Sequence, residues 1–392
     1  MSELRVLAFG AWDSGAGYPR ADALLLGLRS SGCLVDECRF ELPFAGTEKR
    51  RLLTSPWLWP GYWWSLRKAK QQAIRALTAA VEAHRPDVVL VPYPGHLVVR
   101  WVREAFGGPI VLDLFLSAYD TVVIDRQMCT PGSPLARFMR RTDQRACEAA
   151  DCVLVDTPAN AVFTSELVGL PRERFVAIPV SDPMEAGEGL PYRPPEVDGT
   201  IELLFFGTGV PLHGLGHLLD AVEQCDRVHL TLVCGAAADR VRAQAMPSSR
   251  VRVIGEFVDP EVLRDYLARS HLVAGVFGTS QKADRVIPFK VMQALSVGRP
   301  VITARTRATS SVFREGIDAV LVPPGNATAL AAVLSSLAEQ PERLAELAAV
   351  ARTVYERRFS LDVTGGALRD ACRACVDRFS SRAETAELVE MT

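Results

Sequence analysis

The sequence has little net charge and no long apolar run. Its 392 residues carry 44 Lys and Arg against 46 Asp and Glu, a formal net charge of −2, without the strong positive balance typical of nucleic-acid-binding proteins. No apolar segment approaches the roughly 20 residues that a membrane-spanning helix needs, and residues 1–9 lead into a strand-like run rather than a signal peptide. We therefore expect a cytoplasmic protein without a nucleic-acid partner.

Metal-ligand patterns are also missing. The nine cysteines are scattered, and Cys372 and Cys375 form the only Cys-x-x-Cys pair. That pair lies within a predicted terminal helix, without the strand and turn that surround a redox motif. Because neither a zinc ligand set nor an Asp-x-Asp motif is present, we expect no metal site.

What the sequence does contain is alternation of strand-like and helix-like segments. Hydrophobic residues make up 48% and charged residues 23%, as in globular proteins, and the length suits two domains. The alternation runs over 5–179, stops in a Pro-, Gly- and acid-rich stretch, and resumes at 201. We predict an N-terminal domain at 1–182, a linker at 183–199 and a C-terminal domain at 200–360, each a Rossmann-like, doubly wound α/β sheet, facing each other across a cleft.

The stretch 273–303, VAGVFGTSQKADRVIPFKVMQALSVGRPVIT, predicts an anion site. Pro288 can begin a helix that ends before Gly298. Lys290 and Gln293 then lie on the side of this helix opposite its core-facing residues. With Lys282 and Arg285 upstream, three cations would converge on a helix N-terminus, which suits a phosphate or diphosphate. The alternative is a solvated loop followed by a packing helix.

In each half of the chain, the loop after the first predicted strand is rich in glycine. GAWDSGAGYPR places Gly15 and Gly17 before Tyr18 and Arg20; the spacing is not that of a dinucleotide fingerprint, so a tight turn and a binding loop both fit.

The second of these loops, FFGTGVPLHGLG, contains Gly207, Thr208, Gly209 and His213. A histidine here can donate a hydrogen bond to a diphosphate or serve only a structural role.

From these residues the chain resembles retaining glycosyltransferases of the GT-B fold, the family 4-like group typified by glycogen synthases, sucrose synthases and bacterial mannosyltransferases. The family's G-R-L-x-x-x-K-G motif corresponds to residues 207–214, where Thr208 and His213 replace the two cations. Its Glu-x7-Glu motif corresponds to Arg285 and Gln293, so the motif is a variant in which neither glutamate is present.

The resemblance implies transfer of a sugar from a nucleotide-diphosphate sugar to an acceptor hydroxyl with retention of configuration. No other cofactor is implied, and the final helix, about 361–392, would pack back on the N-terminal domain. Three residues would stabilise the leaving diphosphate, and further residues would bind the donor. The first set is Arg285, Lys290 and His213; the second is Gly207, Thr208, Gly209, Lys282, Pro288 and Gln293.

The acceptor, a small molecule, a glycan or a lipid-linked group, would lie against Gly15, Gly17, Tyr18, Arg20 and Asp120. Asp120 belongs to the loop SAYDTVVIDRQ, whose polar residues could equally form a cap and a surface ion pair. A catalytically silent nucleotide-sugar-binding protein and a GT-B epimerase or phosphorylase remain alternatives.

The segment 49–70 contains Trp57, Trp59, Trp63 and Trp64 between basic clusters. Aromatic residues flanked by cations suit peripheral contact with the inner face of a membrane or a lipid-linked acceptor. They also suit a domain core with a basic rim, or an aromatic acceptor pocket.

Overall fold

The computed structural model describes residues 3–12, 14–15, 19–43, 59–184, 189–196 and 199–390, with the side chains of 59–60 and 383–390 left out. Within them the chain forms two parallel six-stranded sheets, ordered β2-β1-β3-β4-β5-β6 and β12-β11-β10-β7-β8-β9. Both sheets have helices on their two faces, as parallel sheets require because each strand is buried on both sides. The fold class is therefore α/β with two Rossmann-like domains.

The first sheet and its helices come from the N-terminal half. Its strands are β1 Arg5–Gly10, β2 Leu34–Arg39, β3 Val88–Val91, β4 Ile110–Asp113, β5 Cys152–Val155 and β6 Phe175–Ala177. Its helices are α1 Pro19–Ser30, α2 Trp59–His84, α3 Val98–Ala105, α4 Pro134–Ala149 and α5 Pro158–Val168, with a π-helix at Asp120–Asp125.

The second sheet follows the linker. Its strands are β7 Ile201–Gly207, β8 Val228–Cys234, β9 Val251–Ile254, β10 Leu272–Ala274, β11 Val301–Ala304 and β12 Val320–Val322. Its helices are α6 Leu215–Glu223, α7 Ala237–Ala245, α8 Pro260–Arg269, α9 Phe289–Ser296, α10 Arg307–Val312, α11 Ala327–Ala338 and α12 Pro341–Arg358, with a 3-10 turn at Pro211–His213. The last helix, α13, is Leu361–Glu390.

Two hydrophobic clusters cover opposite faces of each sheet. In the first sheet, Leu7 and Phe9 contribute to one cluster, while Val6 and Ala8 contribute to the other. This alternation follows from the period of two along a strand. Since the strands are apolar on both faces, four-residue runs such as VVLV and CVLV suffice to define them.

Helix α13 returns to the N-terminal domain and packs on α1. The two helices meet at Gly27 and Gly365: a Cβ on Gly365 would lie 2.0 Å from the carbonyl oxygen of Gly27. Cys372 and Leu368 of α13 are buried in the same cluster as Leu24 and Leu28 of α1. The close contact of the two backbones therefore requires glycine on both helices.

Alanine at Gly365 should destabilise the protein by about 1–3 kcal/mol, because the added methyl group overpacks the contact with α1. The adjacent Gly366 offers a matched control, since a Cβ there meets nothing within 4 Å. Gly366→Ala should stabilise the helix by about 0.5–1 kcal/mol. Urea unfolding of both variants tests the contact, and equal free energies of unfolding would show that α13 does not depend on it.

None of the helices in the described residues is long and apolar enough to cross a bilayer.

Candidate functional site

The glycine-rich loop after β7 forms the floor of the candidate site. Gly207 ends the strand with a φ of +136°, and a Cβ on it would approach the side chains of both His213 and Lys290. A Cβ on Gly214 would lie 2.4 Å from the backbone nitrogen of Gly278. Glycine is therefore needed at 214 because the loop and the segment after β10 pack backbone against backbone.

Lys290 lies on the first turn of α9 and points into the protein. The residue is 5% exposed, and its Nζ lies 3.6 Å from the centroid of the Phe205 ring. That Nζ is buried and has no hydrogen-bond partner. A buried ammonium group held only by an aromatic face is costly.

His213 lies beside Lys290. Its ring meets Phe205 edge-on at a centroid distance of 5.6 Å, and its Nδ1 is buried without a partner. Burial, and then the charge of Lys290, lower the pKa of His213 to about 2. Burial alone lowers the pKa of Lys290 well below its ordinary value, with no carboxylate opposing it.

These features make Lys290 and His213 a candidate anion site. Two nitrogen atoms that can carry protons are buried and unpartnered on the same aromatic ring. Helix α9 begins after Pro288, which supplies no side-chain cap to its first N–H groups, so the positive end of the helix dipole adds to the site. A diphosphate would satisfy all of these groups at once.

Lys282 and Arg285 have different partners from the predicted ones. The sequence predicted that they converge with Lys290, whereas both extend across to the N-terminal domain. Lys282 Nζ donates to Thr121 Oγ1 at 3.0 Å, and Arg285 forms a buried ion pair with Asp120 at 2.5 Å. The reason is electrostatic: a buried cation is stabilised by a carboxylate, and Asp120 supplies one.

Arg285 is held by further contacts to α5. Its Nε donates to Asn160 Oδ1 at 3.2 Å, its guanidinium lies 3.6 Å from the centroid of Phe163, and its carbonyl oxygen accepts from Thr157 Oγ1 at 2.5 Å. The residue is 2% exposed. The loop before α9 is thus fastened to the N-terminal domain, and we call this set of contacts the Arg285 clamp.

Carboxylates of the π-helix face the same loop. Burial raises the pKa of Asp120, while Arg285 and then Lys282 lower it. Burial also raises the pKa of Asp125, while Lys282 and then Arg126 lower it; its Oδ1 has no partner. Asp120, predicted at the cleft edge, therefore lies between the domains as the partner of Arg285.

Of the acceptor residues predicted in and after the first loop, the structure describes Gly15 and Arg20. Arg20 is buried below the loop, paired with Asp113 at 2.9 Å and stacked on Phe115, because a buried guanidinium requires such partners. Gly15 has a φ of +103°, and its N–H donates to Asp22 of α1. Gly17 and Tyr18 lie outside the described residues.

The remaining predicted donor residues border the Lys290 site. Thr208 and Gly209 follow Gly207 in the loop, with Thr208 exposed. Pro288 precedes α9, and Gln293 lies one turn after Lys290 and is half-buried. The part of the chain that the structure describes contains no group of three or more His, Cys, Asp or Glu residues placed to hold a metal ion.

Sequence reasoning missed the α5 residues that bind Arg285. The signal for their position was present: Thr157 followed by Pro158 marks a helix start directly after β5, and Thr157 does cap α5 by accepting from the Asn160 N–H. That pattern places Asn160 near the carboxyl end of the sheet, but it does not reveal a partner 125 residues away.

Two family models match the two halves of the chain. The family model described as "Glycosyl transferase 4-like domain" matches residues 15–181, and the model described as "Glycosyl transferases group 1" matches residues 200–340. No curated protein sequence gave a significant match.

Solved structures of similar fold include several glycosyltransferases. Alr3699/HepE from Anabaena in complex with UDP has a TM-score of 0.62 and 17% identity, over 95% of this chain and 100% of that one. Sucrose-phosphate synthase from Thermosynechococcus elongatus has a TM-score of 0.70 and 17% identity, over 95% and 99%. The lipopolysaccharide outer core galactosyltransferase WaaB in its apo form has a TM-score of 0.60 and 13% identity, over 95% and 99%.

At these identities the structural likeness establishes the fold, and the two family models establish the domains. The chain therefore belongs to the glycosyltransferases of the GT-B fold, with a glycosyl transferase 4-like domain followed by a group 1 glycosyl transferase domain.

Proposed function

We propose that the protein transfers a sugar from a nucleotide-diphosphate sugar to an acceptor hydroxyl with retention of anomeric configuration. The observation that carries the proposal is the pair of buried, unpartnered nitrogens of Lys290 and His213 at the N-terminus of α9. Among the structural relatives, the Anabaena protein has been solved with UDP-glucose. That complex supports a nucleotide-sugar donor, and the base and sugar are left to experiment.

In this proposal Lys290, His213 and the N-terminus of α9 bind the diphosphate. The glycine loop allows the donor to approach the backbone closely, and Gln293 hydrogen-bonds a ribose hydroxyl. Arg285 and Lys282 act on the donor through the loop that they fasten to the N-terminal domain. Preorganised positive charge at the leaving group is the largest expected contribution to catalysis.

The chemistry needs no protein nucleophile. The bond between the anomeric carbon and the diphosphate oxygen breaks, the acceptor oxygen bonds to that carbon on the same face, and the hydroxyl proton moves to the leaving phosphate. Protein cations neutralise the developing charge, so the proposal includes neither a metal ion nor another cofactor.

An inverting reaction would need a general base in the cleft, and Asp125, with its unpartnered Oδ1, is the carboxylate that could serve. Proton NMR of the first-formed product distinguishes the two reactions. We expect the donor's anomeric configuration in the product and substantial activity in Asp125→Asn. An inverted product together with an inactive Asp125→Asn variant would contradict retention.

The acceptor is proposed to enter from the side of the N-terminal domain, between the first loop and the π-helix. Gly15 belongs to the first loop, and Asp120 of the π-helix is held in place by its ion pair with Arg285. The chemistry of the site is compatible with a small-molecule, glycan or lipid-linked hydroxyl.

Donor binding should be accompanied by proton uptake. In the free protein burial lowers the pKa values of Lys290 and His213, and a bound diphosphate raises both because opposite charge favours the protonated form. Affinity for a nucleoside diphosphate should therefore weaken as pH rises from the pKa values of the free protein towards those of the complex. Calorimetry in buffers of different ionisation enthalpy measures the protons taken up, and zero uptake would show that neither residue contacts the diphosphate.

The activity itself is tested with a panel of nucleotide sugars by following nucleoside diphosphate release. Release from at least one donor that rises with added acceptor is expected. Binding of donors without release under every donor and acceptor combination would contradict the proposed transfer.

A further inference from the structure

The outer surface of the helix layer α2, α3 and α4 carries exposed aromatic side chains. Trp63 is 59% and Trp64 69% exposed on α2, and Phe138 is 61% exposed on α4. The interpretation of Trp63 and Trp64 as core residues is therefore excluded by the structure. Trp57 lies outside the described residues, and of Trp59 only the backbone is described.

Helix α2 is amphipathic, with one exposed face and one face buried in the domain core. At 100° per residue, positions 63, 64, 67, 68, 71, 72 and 75 fall within one half of the helix, and all of them are exposed. Ala73 and Leu77, on the opposite half, are buried in the core of the N-terminal domain. The tryptophans thus share their face with Arg67, Lys68 and Arg75 rather than with the core.

From residue 59 to residue 81 the charge on this face has one sign. The sequence contains no Asp or Glu from 59 to 81, and Lys68 Nζ lies 5.8 Å from the centroid of the Trp64 ring. The whole chain has a net charge of −2, so the basic face is a local asymmetry. Lys70, on the side of α2 that faces α3, is already paired with Glu104.

Exposed apolar and basic side chains are also present on α4. Helix α2 packs on α3, and α3 packs on α4. Helix α4 exposes Leu135 and Phe138 beside the exposed Arg137 and Arg141. In a parallel sheet the helices that connect strands start at the carboxyl edge. The exposed apolar residues of α2 and α4, all within the first two turns of their helices, therefore lie towards the edge that borders the cleft; they are Trp63, Trp64, Leu135 and Phe138.

We propose that this basic aromatic face docks on an anionic lipid bilayer. The tryptophans, Leu135 and Phe138 enter the interfacial region, where amphipathic aromatic rings are favoured, and the arginines and Lys68 bind anionic headgroups. A protein partner is disfavoured because the aromatic residues are spread over two helices between cations rather than gathered in one apolar centre. Docking in this orientation places the cleft opening towards the membrane surface, and it is independent of the transferase activity.

The test uses the full-length protein and sedimentation with vesicles of phosphatidylcholine alone or with phosphatidylglycerol. The wild type should sediment with the anionic vesicles and be released as salt is raised from 50 to 500 mM, since screening weakens the attraction. Trp63→Gln with Trp64→Gln should lower the partition coefficient about tenfold or more. Arg137→Gln with Arg141→Gln should lower it and reduce its salt dependence.

Two controls separate surface chemistry from folding. Phe257→Gln removes an aromatic side chain that is 72% exposed in the C-terminal domain and should leave partitioning unchanged. Thermal melting of each variant verifies that the fold is intact. Absence of binding to anionic vesicles at 50 mM salt would overturn the proposal, as would binding that neither pair of substitutions weakens.

Discussion

Replacing Lys290 with methionine should make the ligand-free protein more stable and its nucleotide binding weaker. The Lys290 Nζ is buried with no partner and no nearby carboxylate lowering its cost. Removal of a buried unsatisfied polar group should raise the free energy of unfolding by about 1–3 kcal/mol, and loss of a hydrogen bond to a charged phosphate should weaken nucleoside-diphosphate binding by about 1.5–3 kcal/mol. A functional residue that destabilises the free protein has this signature.

The pH dependence of the stabilisation has a defined sign. The pKa of Lys290 is lower in the folded than in the unfolded protein, so between the two values the unfolded state binds more protons and the lysine's cost shrinks as pH rises. The advantage of Lys290→Met should therefore be largest at low pH and shrink as pH approaches the ordinary lysine pKa, where only the cost of an unpartnered neutral amine is left.

The matched control is Lys70→Met, which removes a partly exposed cation paired with Glu104 and should change stability by no more than about 0.5–1 kcal/mol. Urea unfolding and calorimetry with a nucleoside diphosphate provide the two measurements. A Lys290→Met variant that is less stable yet binds nucleotide with unchanged affinity would remove Lys290 from the donor site.

Breaking the Arg285 clamp should have the opposite effect on stability. Arg285→Ala leaves Asp120 buried without its cation, and Asp120→Ala leaves the guanidinium without its anion; each should destabilise by about 3–5 kcal/mol. Because both residues belong to one ion pair, the double variant should fall short of the sum by a coupling energy of about 0.5–3 kcal/mol.

An exposed ion pair between Asp284, next to Arg285, and Arg307 at the start of α10 provides the comparison. Arg307 Nε and Asp284 Oδ2 are also 2.5 Å apart, with exposed side-chain fractions of 67% and 39%. Arg307→Ala should cost no more than about 1 kcal/mol. Additive free energies for Arg285→Ala and Asp120→Ala would show that the two side chains do not interact in solution.

Much of the architecture was predictable because parallel strands buried on both faces read as short apolar runs. Strands β5, β9, β11 and β12 coincide with the apolar runs CVLV, VRVI, VITA and VLV. Pro60 suggests a break in the helical pattern of the segment that precedes Lys68. Helix α2 begins at Trp59, and Pro60 is tolerated in its first turn.

The π-helix at Asp120–Asp125 could not be predicted, because tertiary contacts define it. The buried carboxylate of Asp143 accepts hydrogen bonds from the backbone N–H groups of Ala118 and Tyr119 just before it, and Asp120 within it is paired with Arg285. None of these partners is encoded in the local sequence.

The candidate site was predictable to a similar extent. Helical spacing placed Lys290 at the start of α9, and loop position singled out His213. Arg285 was assigned to the same anion because it is close in sequence, whereas its partner Asp120 lies 165 residues away. Nearby cations repel one another unless an anion intervenes, and here the N-terminal domain provides one for Arg285 but none for Lys290.

The proposed function depends on the Lys290 and His213 nitrogens binding the diphosphate of a nucleotide sugar. This contact can be seen in a crystal structure of the protein soaked with nucleoside diphosphates of different bases. We expect a phosphate oxygen within about 3 Å of Lys290 Nζ, with His213 and the first N–H groups of α9 completing the site. A diphosphate bound elsewhere, with Lys290 still unpartnered beside Phe205, would contradict it.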